Sequence, residues 1–388
     1  MRAGFALLGA ALLAATPASS AIRYSVTDVG SLGAAEIGGT IGSFGTAINA
    51  SGELTGYSFY DANNSLSHAF LYDGSKMIDL GDLGGGFSWG YGINDLGQVT
   101  GESYTPGGGP GRHAFLYDGG KMIDLGTLGG PISGGLGINN AGQVAGYSWT
   151  ATNETDAFLY EHGSMISLGE GSASGINNAG QVVGLNDHLG TLGGFYTGAF
   201  AINDLGQKTG YSDTFGAIPF DFANGVIPLD TVLYPGDGAF HAFISDGNGM
   251  TDLGTIGQAL SVGYGINNRG QVVGGLVDIT AGGIGSAFLY DGKRMADLNS
   301  LVDPRSGWSI VDARGINDAG QIVAFGTNPN VQGGGGHALL LTPISGAVPE
   351  PAAWTMMIAG FGAVGAVARR KRTLVAGWHR SPVRAACR

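Results

Sequence analysis

Four histidines, His68, His113, His241 and His337, each open a short apolar run, of which His-Ala-Phe-Leu-Tyr is the fullest form. Imidazole is a common metal ligand and titrates near neutral pH, so the set invites a metal or acid–base reading. Two corresponding runs begin instead with Asp156 and Ser286. Asn-Asp-x-Gly at 94–97, 203–206 and 317–320 has the flavour of a calcium loop. Such loops alternate several oxygen ligands, whereas only two polar residues precede each Gly here, so a turn is expected. No Gly-x-Ser-x-Gly stands in a strand-to-helix context. Carboxylates are plentiful, but none has neighbours that mark a hydrolytic pair. No catalytic, cofactor or metal residue is therefore assigned.

The elements that position these residues are repeats. A Gly/Ala-Ile-Asn core, usually followed by a small-residue turn and Gly-Gln, recurs at Asn49, Asn94, Asn139, Asn177, Asn203, Asn267 and Asn317. The Asn-to-Asn gaps are 45, 45, 38, 26, 64 and 50 residues. Each unit reads as four short strands. The first ends in Ile-Asn, and Asn-Asp-Leu-Gly or Asn-Asn-Ala-Gly turns the chain, with Gly supplying positive φ. Gln-Val-Val-Gly segments form the second strand, His-Ala-Phe-Leu-Tyr the third and Met-Ile-Asp-Leu the fourth, with Asp-Gly as a hairpin signal between the last two. Four strands in about 45 residues is the length of a propeller blade.

Tyr24–Gly30 looks like a fourth strand without its predecessors, and His337–Leu341 like a third strand without a successor. Pairing them completes one blade from both ends and removes exposed sheet edges. The expected fold is all-β, a β-propeller of six or seven blades over 22–345. The unit between Asn177 and Asn203 is too short for a full blade, and the 64-residue gap leaves a loop near 218–237. These units resemble HAF repeats of extracellular proteins, with full matches at His68-Ala69-Phe70, His113-Ala114-Phe115 and His241-Ala242-Phe243. The resemblance implies location and architecture but no activity. In a propeller, equivalent histidines stand blade widths apart, beyond the roughly 2 Å of metal coordination, so a hydrogen-bonded strand start is their expected role.

The two ends read as addresses. Arg2, an apolar run from Ala3 to Ala15 and small residues up to Ala21 match a secretory signal peptide, with cleavage expected after Ala21. At the other end, the uncharged run 352–368 reaches about 25 Å as a helix, enough to cross a somewhat thinned bilayer. Arg369, Arg370, Lys371 and Arg372 follow as a positive-inside stop, and 373–388 forms a basic tail expected to be disordered. With Pro349-Glu350-Pro351 ahead of it, 346–372 resembles the PEP-CTERM sorting signal of Gram-negative bacteria. That resemblance implies recognition by an exosortase at Pro349–Pro351, transient inner-membrane anchoring, and a setting of exopolysaccharide and biofilm matrix at the cell surface. Gly360-x-Gly362-x-x-Gly365 imitates a dinucleotide fingerprint, but no strand precedes it.

Charge narrows the partners. Residues 22–350 carry 10 basic and 30 acidic side chains, a surface unsuited to nucleic-acid phosphates. Cys387 is the only cysteine, so no disulfide framework exists. The loops Tyr57–Ser67, Thr105–Arg112 and Trp149–Thr155 share one repeat position, between second and third strands, and bring Tyr57, Tyr60, Tyr104 and Trp149 to one propeller face, where their rings suit stacking on sugars. The alternative is that they pack between blades. The expectation is an exported, non-catalytic protein binding exopolysaccharide or a surface partner. An extracellular hydrolase or lyase, or a passive matrix component, stands as the alternative.

Overall fold

The computed structural model describes residues 23–33, 42–60, 66–107, 109, 111–184, 189–194, 196–214, 240–257, 260–278, 283–331 and 336–344. The signal segment with Ala21, the loop at 218–237, the Pro349-Glu350-Pro351 motif, the run 352–368, Arg369–Arg372 and the tail 373–388 lie outside these residues. Regular structure among the described residues is β-strand with two short 3-10 turns, and no helix is long and apolar enough to cross a membrane.

The first blade contains Ser43–Ile48, Leu54–Phe59, Ser67–Tyr72 and Met77–Asp79, paired antiparallel in chain order. These are the four strands read from the repeat. The second (Ser88–Ile93, Val99–Tyr104, Arg112–Asp118, Lys121–Asp124) and third (Gly129–Ile138, Val144–Thr150, Thr155–Glu161, Ser164–Glu170) follow the same plan. A single parallel bridge between Ile132 and Arg112 joins these two into one eight-stranded sheet. Among the described residues the fourth has Ala173–Ile176 and Val182–Gly184. Four strands return in the fifth (Thr197–Ile202, Lys208–Asp213, Phe240–Ser245, Met250–Asp252) and sixth (Leu260–Ile266, Val272–Asp278, Gly283–Tyr290, Met295–Asp297).

The seventh blade takes Ser309–Ile316, Ile322–Thr327 and Gly336–Pro343 from the end of the body and Tyr24–Asp28 from its start. Tyr24 lies opposite Pro343 and Asp28 opposite Leu339, in an antiparallel ladder. The β-propeller is thus a ring of seven blades among the described residues.

The Ile-Asn pair explains how the ring holds its register. Asn94 Oδ1 accepts from the backbone N–H of Leu96 and Gln98, and its Nδ2 donates to Gln98 Oε1. The same Nδ2 also donates to the Asn139 carbonyl oxygen of the next blade at 2.9 Å. The motif repeats from Asn49 to Asn94, Asn139 to Asn177, Asn177 to Asn203, Asn203 to Asn267 and Asn267 to Asn317. Asn317 then donates to Asn49 and closes the circle. Buried amides carry a desolvation cost unless every donor and acceptor is paired, which is why Asn, Gly and Gln recur together. The residue before Ile-Asn must be small: a Cβ on Gly265 would come within 2.9 Å of the Gly315 backbone.

The apolar core lies between blades. Phe70, Phe115, Phe158, Phe243 and Phe288, one per third strand, are fully buried, with Leu339 in the same position of the seventh blade. Each such side chain contributes roughly 1.5–3 kcal/mol by leaving water.

Candidate ligand-binding site on the ring axis

The histidines are latches between outer strands. His68 Nδ1 lies 2.8 Å from Asp79 Oδ1, and His113 and His241 pair at 2.9 Å with Asp124 and Asp252. His337 reaches Asp28 at 2.7 Å across the shared seventh blade. Where the sequence departs, the bond persists with other chemistry: Ser167 donates to Asp156, and Ser286 donates to Asp297. The Asn-Asp-x-Gly carboxylates link blades as well. Asp95 accepts from the N–H of Ala50, Asp204 from that of Asn178 and Asp318 from that of Asn268.

The four aromatic candidates are all half-buried and spread over three blades. Tyr57 stacks on Phe44 at 5.7 Å between ring centroids. Tyr60 packs on the His68 ring at 4.2 Å, and its hydroxyl donates to the Gly86 carbonyl. Tyr104 sits against Phe87 and Trp89, 5.4 and 5.8 Å away. Trp149 is the last residue but one of a second strand, Val144–Thr150, in the third blade.

Only Tyr57 joins the group that faces the axis. Every first strand carries a bulge one residue before its Gly/Ala-Ile-Asn small residue or two before its Ile, as between Gly90 and Gly92 or Ala313 and Gly315. The extra residues are Thr46, Tyr91, Leu136, Ser174, Phe200, Tyr264 and Arg314, all half-buried. First strands are the innermost of each blade, and three of these side chains, Phe200, Tyr264 and Arg314, meet. The Phe200 and Tyr264 rings stand 5.8 Å apart, and the Arg314 guanidinium lies over Tyr264 at 4.1 Å and over Phe44 at 5.5 Å.

Arg314 is the charged member of that set. Its Nε donates to Asp312 Oδ2 at 2.5 Å. Asp312 is almost fully buried, whereas 31 % of the Arg314 side chain remains accessible. Among the described residues its terminal amino groups make no hydrogen bond. A guanidinium stacked on aromatic faces and anchored through Nε is preorganised, with its outer donors free for a ligand. Burial pushes the Tyr264 hydroxyl up to about 12, against the pull of Arg314.

A second charged group stands in the second blade. Glu102, 5 % exposed, accepts from Tyr147 at 2.6 Å, from Tyr91 at 3.1 Å and from Arg112 at 3.4 Å. Burial, and then the charge of Glu102, push both tyrosine hydroxyls well above their ordinary range. Gly134 leaves the room, since a Cβ there would come within 3.1 Å of Glu102 Oε2.

Sequence reading did not single out Glu102, Asp312 or Arg314. The signal was there as a break in the repeat. Gly-Tyr-Ser at 56–58, 146–148 and 210–212 becomes Gly-Glu-Ser at 101–103, and Arg314 is the only charged residue at the bulge position.

The repeat architecture now has its counterpart among known proteins. Residues 130–333, just over half of the chain, match the family described as protein of unknown function (DUF3466). The chain belongs to that family. In this DUF3466 protein, residues 347–372 also match the PEP-CTERM protein-sorting motif, a recognition signal for exosortase processing that marks the chain for export. No curated protein matches it. Among solved structures, a gluconolactonase from Xanthomonas campestris is similar, at 9 % identity and a TM-score of 0.40, over 83 % of this chain and 95 % of that one. The β-propeller domain of the Trilobed protease from Pyrococcus furiosus is similar at 8 % identity and a TM-score of 0.34, over 79 % and 84 %. An arginine-to-alanine triple mutant of AofleA from Arthrobotrys oligospora is similar at 10 % identity and a TM-score of 0.35, over 84 % and 94 %.

Proposed function

We propose that this exported DUF3466 protein is a non-catalytic, cell-surface binder of exopolysaccharide that holds a sugar unit at the ring axis. The observation that carries the reading is Arg314, fixed by Asp312 and stacked on Tyr264 with its outer amino groups free. Sugars are recognised by flat aromatic faces beside a few oriented polar groups, and Phe44, Tyr57 and Phe200 supply further rings around this guanidinium. The strong negative charge of the body disfavours a polyanion, so neutral sugar oxygens are the expected acceptors. The resemblance of its third strands to HAF repeats of extracellular proteins agrees with a role outside the cell.

The second reading, a glycan hydrolase or lyase, draws on one feature, the buried Glu102 carboxylate beside two tyrosines. Both of its oxygens already accept hydrogen bonds, which fits a structural acceptor better than a base. Incubating the full chain with the producer's exopolysaccharide separates the readings. Retention of undegraded polymer, lost in Arg314→Gln, supports binding. Falling polymer length establishes the enzyme reading, and neither effect leaves a structural matrix role.

A further inference from the structure

The second blade departs from the repeat at more than Glu102, and its departures lie together. Phe87, Trp89 and Tyr104 form a cluster with ring centroids 5.4, 5.8 and 6.1 Å apart. The same three positions hold Gly42, Phe44 and Phe59 in the first blade, and Ile132, Gly134 and Trp149 in the third. All three rings of the cluster are half-buried. The apolar clusters that seal the second blade against its neighbours include none of them.

Arg112 opens the third strand directly opposite Tyr104. Other third strands have Ser67, Thr155, Phe240, Gly285 or Gly336 there, so the charge is peculiar to this blade. Arg112 Nη1 donates to Glu102 Oε1 at 3.4 Å, while 33 % of the Arg112 side chain stays accessible. Glu102 is itself held by the Tyr91 and Tyr147 hydroxyls. A buried carboxylate thus anchors a guanidinium beside aromatic rings, as Asp312 anchors Arg314. Among the described residues the Trp89 indole N–H, the Tyr104 hydroxyl and the other Arg112 nitrogens make no hydrogen bond, and none of them is sealed from solvent. Open donors beside flat apolar faces suit a sugar, whose hydroxyls accept while its C–H face stacks. The Glu102–Arg112 pair is neutral overall, which suits an uncharged sugar.

The two arginine sites are one blade apart. Trp89 is the counterpart of Phe44, over which Arg314 lies at 5.5 Å, for each stands two residues before the extra residue of its bulge. Thr46 Oγ1 of the first blade donates to the carbonyl oxygen of Gly90, next to Trp89, at 2.8 Å. The first strands of these two blades therefore meet at the level of the rings.

We infer that Trp89, Tyr104 and Arg112 form a second sugar site, which takes another unit of the uncharged polysaccharide chain held at Arg314. The inference rests on the binding role proposed for the axis, and it makes the ligand a chain spanning two sites.

The test is calorimetric titration of the full chain with size-fractionated fragments of the producer's exopolysaccharide, from the shortest that binds upward. Wild-type affinity should rise at least about tenfold once a fragment reaches both sites, because the second contact is then intramolecular. Arg112→Gln and Trp89→Phe should each lose that rise and keep wild-type affinity for the shortest fragment, which also shows that they fold. Arg314→Gln should weaken binding at every length. Wild-type tryptophan emission adds a readout with Arg112 intact: a long fragment should shift it, and the shift should be absent in Trp89→Phe. Affinity independent of length, or a rise kept in both Arg112→Gln and Trp89→Phe, overturns the second site and leaves the axial one standing. Absence of binding at every length overturns both.

Discussion

The side-chain amide of Asn317 donates to the carbonyl oxygen of Asn49 at 2.9 Å, across 268 residues of sequence. That bond is the seventh of seven equivalent links, and it makes the inner circle of amides continuous. The pairing of Tyr24–Asp28 with the final strand closes the same ring further out. Two closures, one through side chains and one through a backbone ladder, hold the first and last blades together.

Asn267 is buried and uses its whole amide, accepting from Arg269 and Gln271 and donating to Gln271 and Asn317. Replacing it by alanine strands these partners. Asn267→Ala is expected to cost about 2–4 kcal/mol, read as a lower denaturation midpoint at unchanged m-value. A loss below about 0.5 kcal/mol would show that the circle is decoration.

An outer circle runs through the next residue of each turn, from Asp95 through Asn140, Asn178, Asp204 and Asn268 to Asp318. It breaks at Ala50, which has no acceptor for the Asp318 N–H. Ala50→Asn or Ala50→Asp supplies one and is expected to stabilise by about 0.5–1.5 kcal/mol, seen as a raised Tm. An unchanged or lowered Tm contradicts this.

In the outer latch, the acid matters more than the histidine. Asp252 accepts from His241 and also from the Gly254 N–H, and the sixth blade makes the same latch with Ser286. His241→Ser should therefore cost under about 0.5 kcal/mol, and Asp252→Ala about 1–2 kcal/mol. Equal losses in chemical denaturation would refute the distinction.

Burial holds the Tyr24, Tyr211 and Tyr264 hydroxyls up at about 12, against about 10 in an unfolded chain. For a raised pKa the stabilisation is complete below pH 10 and is lost as pH climbs through 12. Stability should fall steeply between pH 10 and 12. In an absorbance titration at 295 nm, part of the tyrosine signal should appear only with unfolding. Titration of all 14 tyrosines near pH 10 with unchanged circular dichroism rules this out.

Fold and site were legible to different degrees, and the reason is physical. Strand positions follow from Ile-Asn, His-Ala-Phe and Met-Ile-Asp because each motif satisfies local backbone bonds, and the pairing of Tyr24–Asp28 with Gly336–Pro343 followed from complementary ends. The axial group was not foreseen because its members are remote in sequence: Phe44, Tyr264 and Arg314 meet only once the ring closes. Tyr57 was singled out as a sugar platform for its place near a loop, whereas its relation to Arg314 depends on the bulges, which no local pattern announces. Glu102 and Arg314 were visible only as departures from the repeat, and a departure has meaning once the equivalent positions are known to face one axis.

The most direct test is calorimetric titration of the full chain with fragments of the producer's exopolysaccharide. Wild type and the outer-strand control Lys121→Ala should bind alike, and Arg314→Gln should lose at least about tenfold in affinity, the scale of a charge-assisted hydrogen bond. Equal binding by Arg314→Gln, or no heat with any fragment, would contradict the assignment of the ring axis as the ligand site.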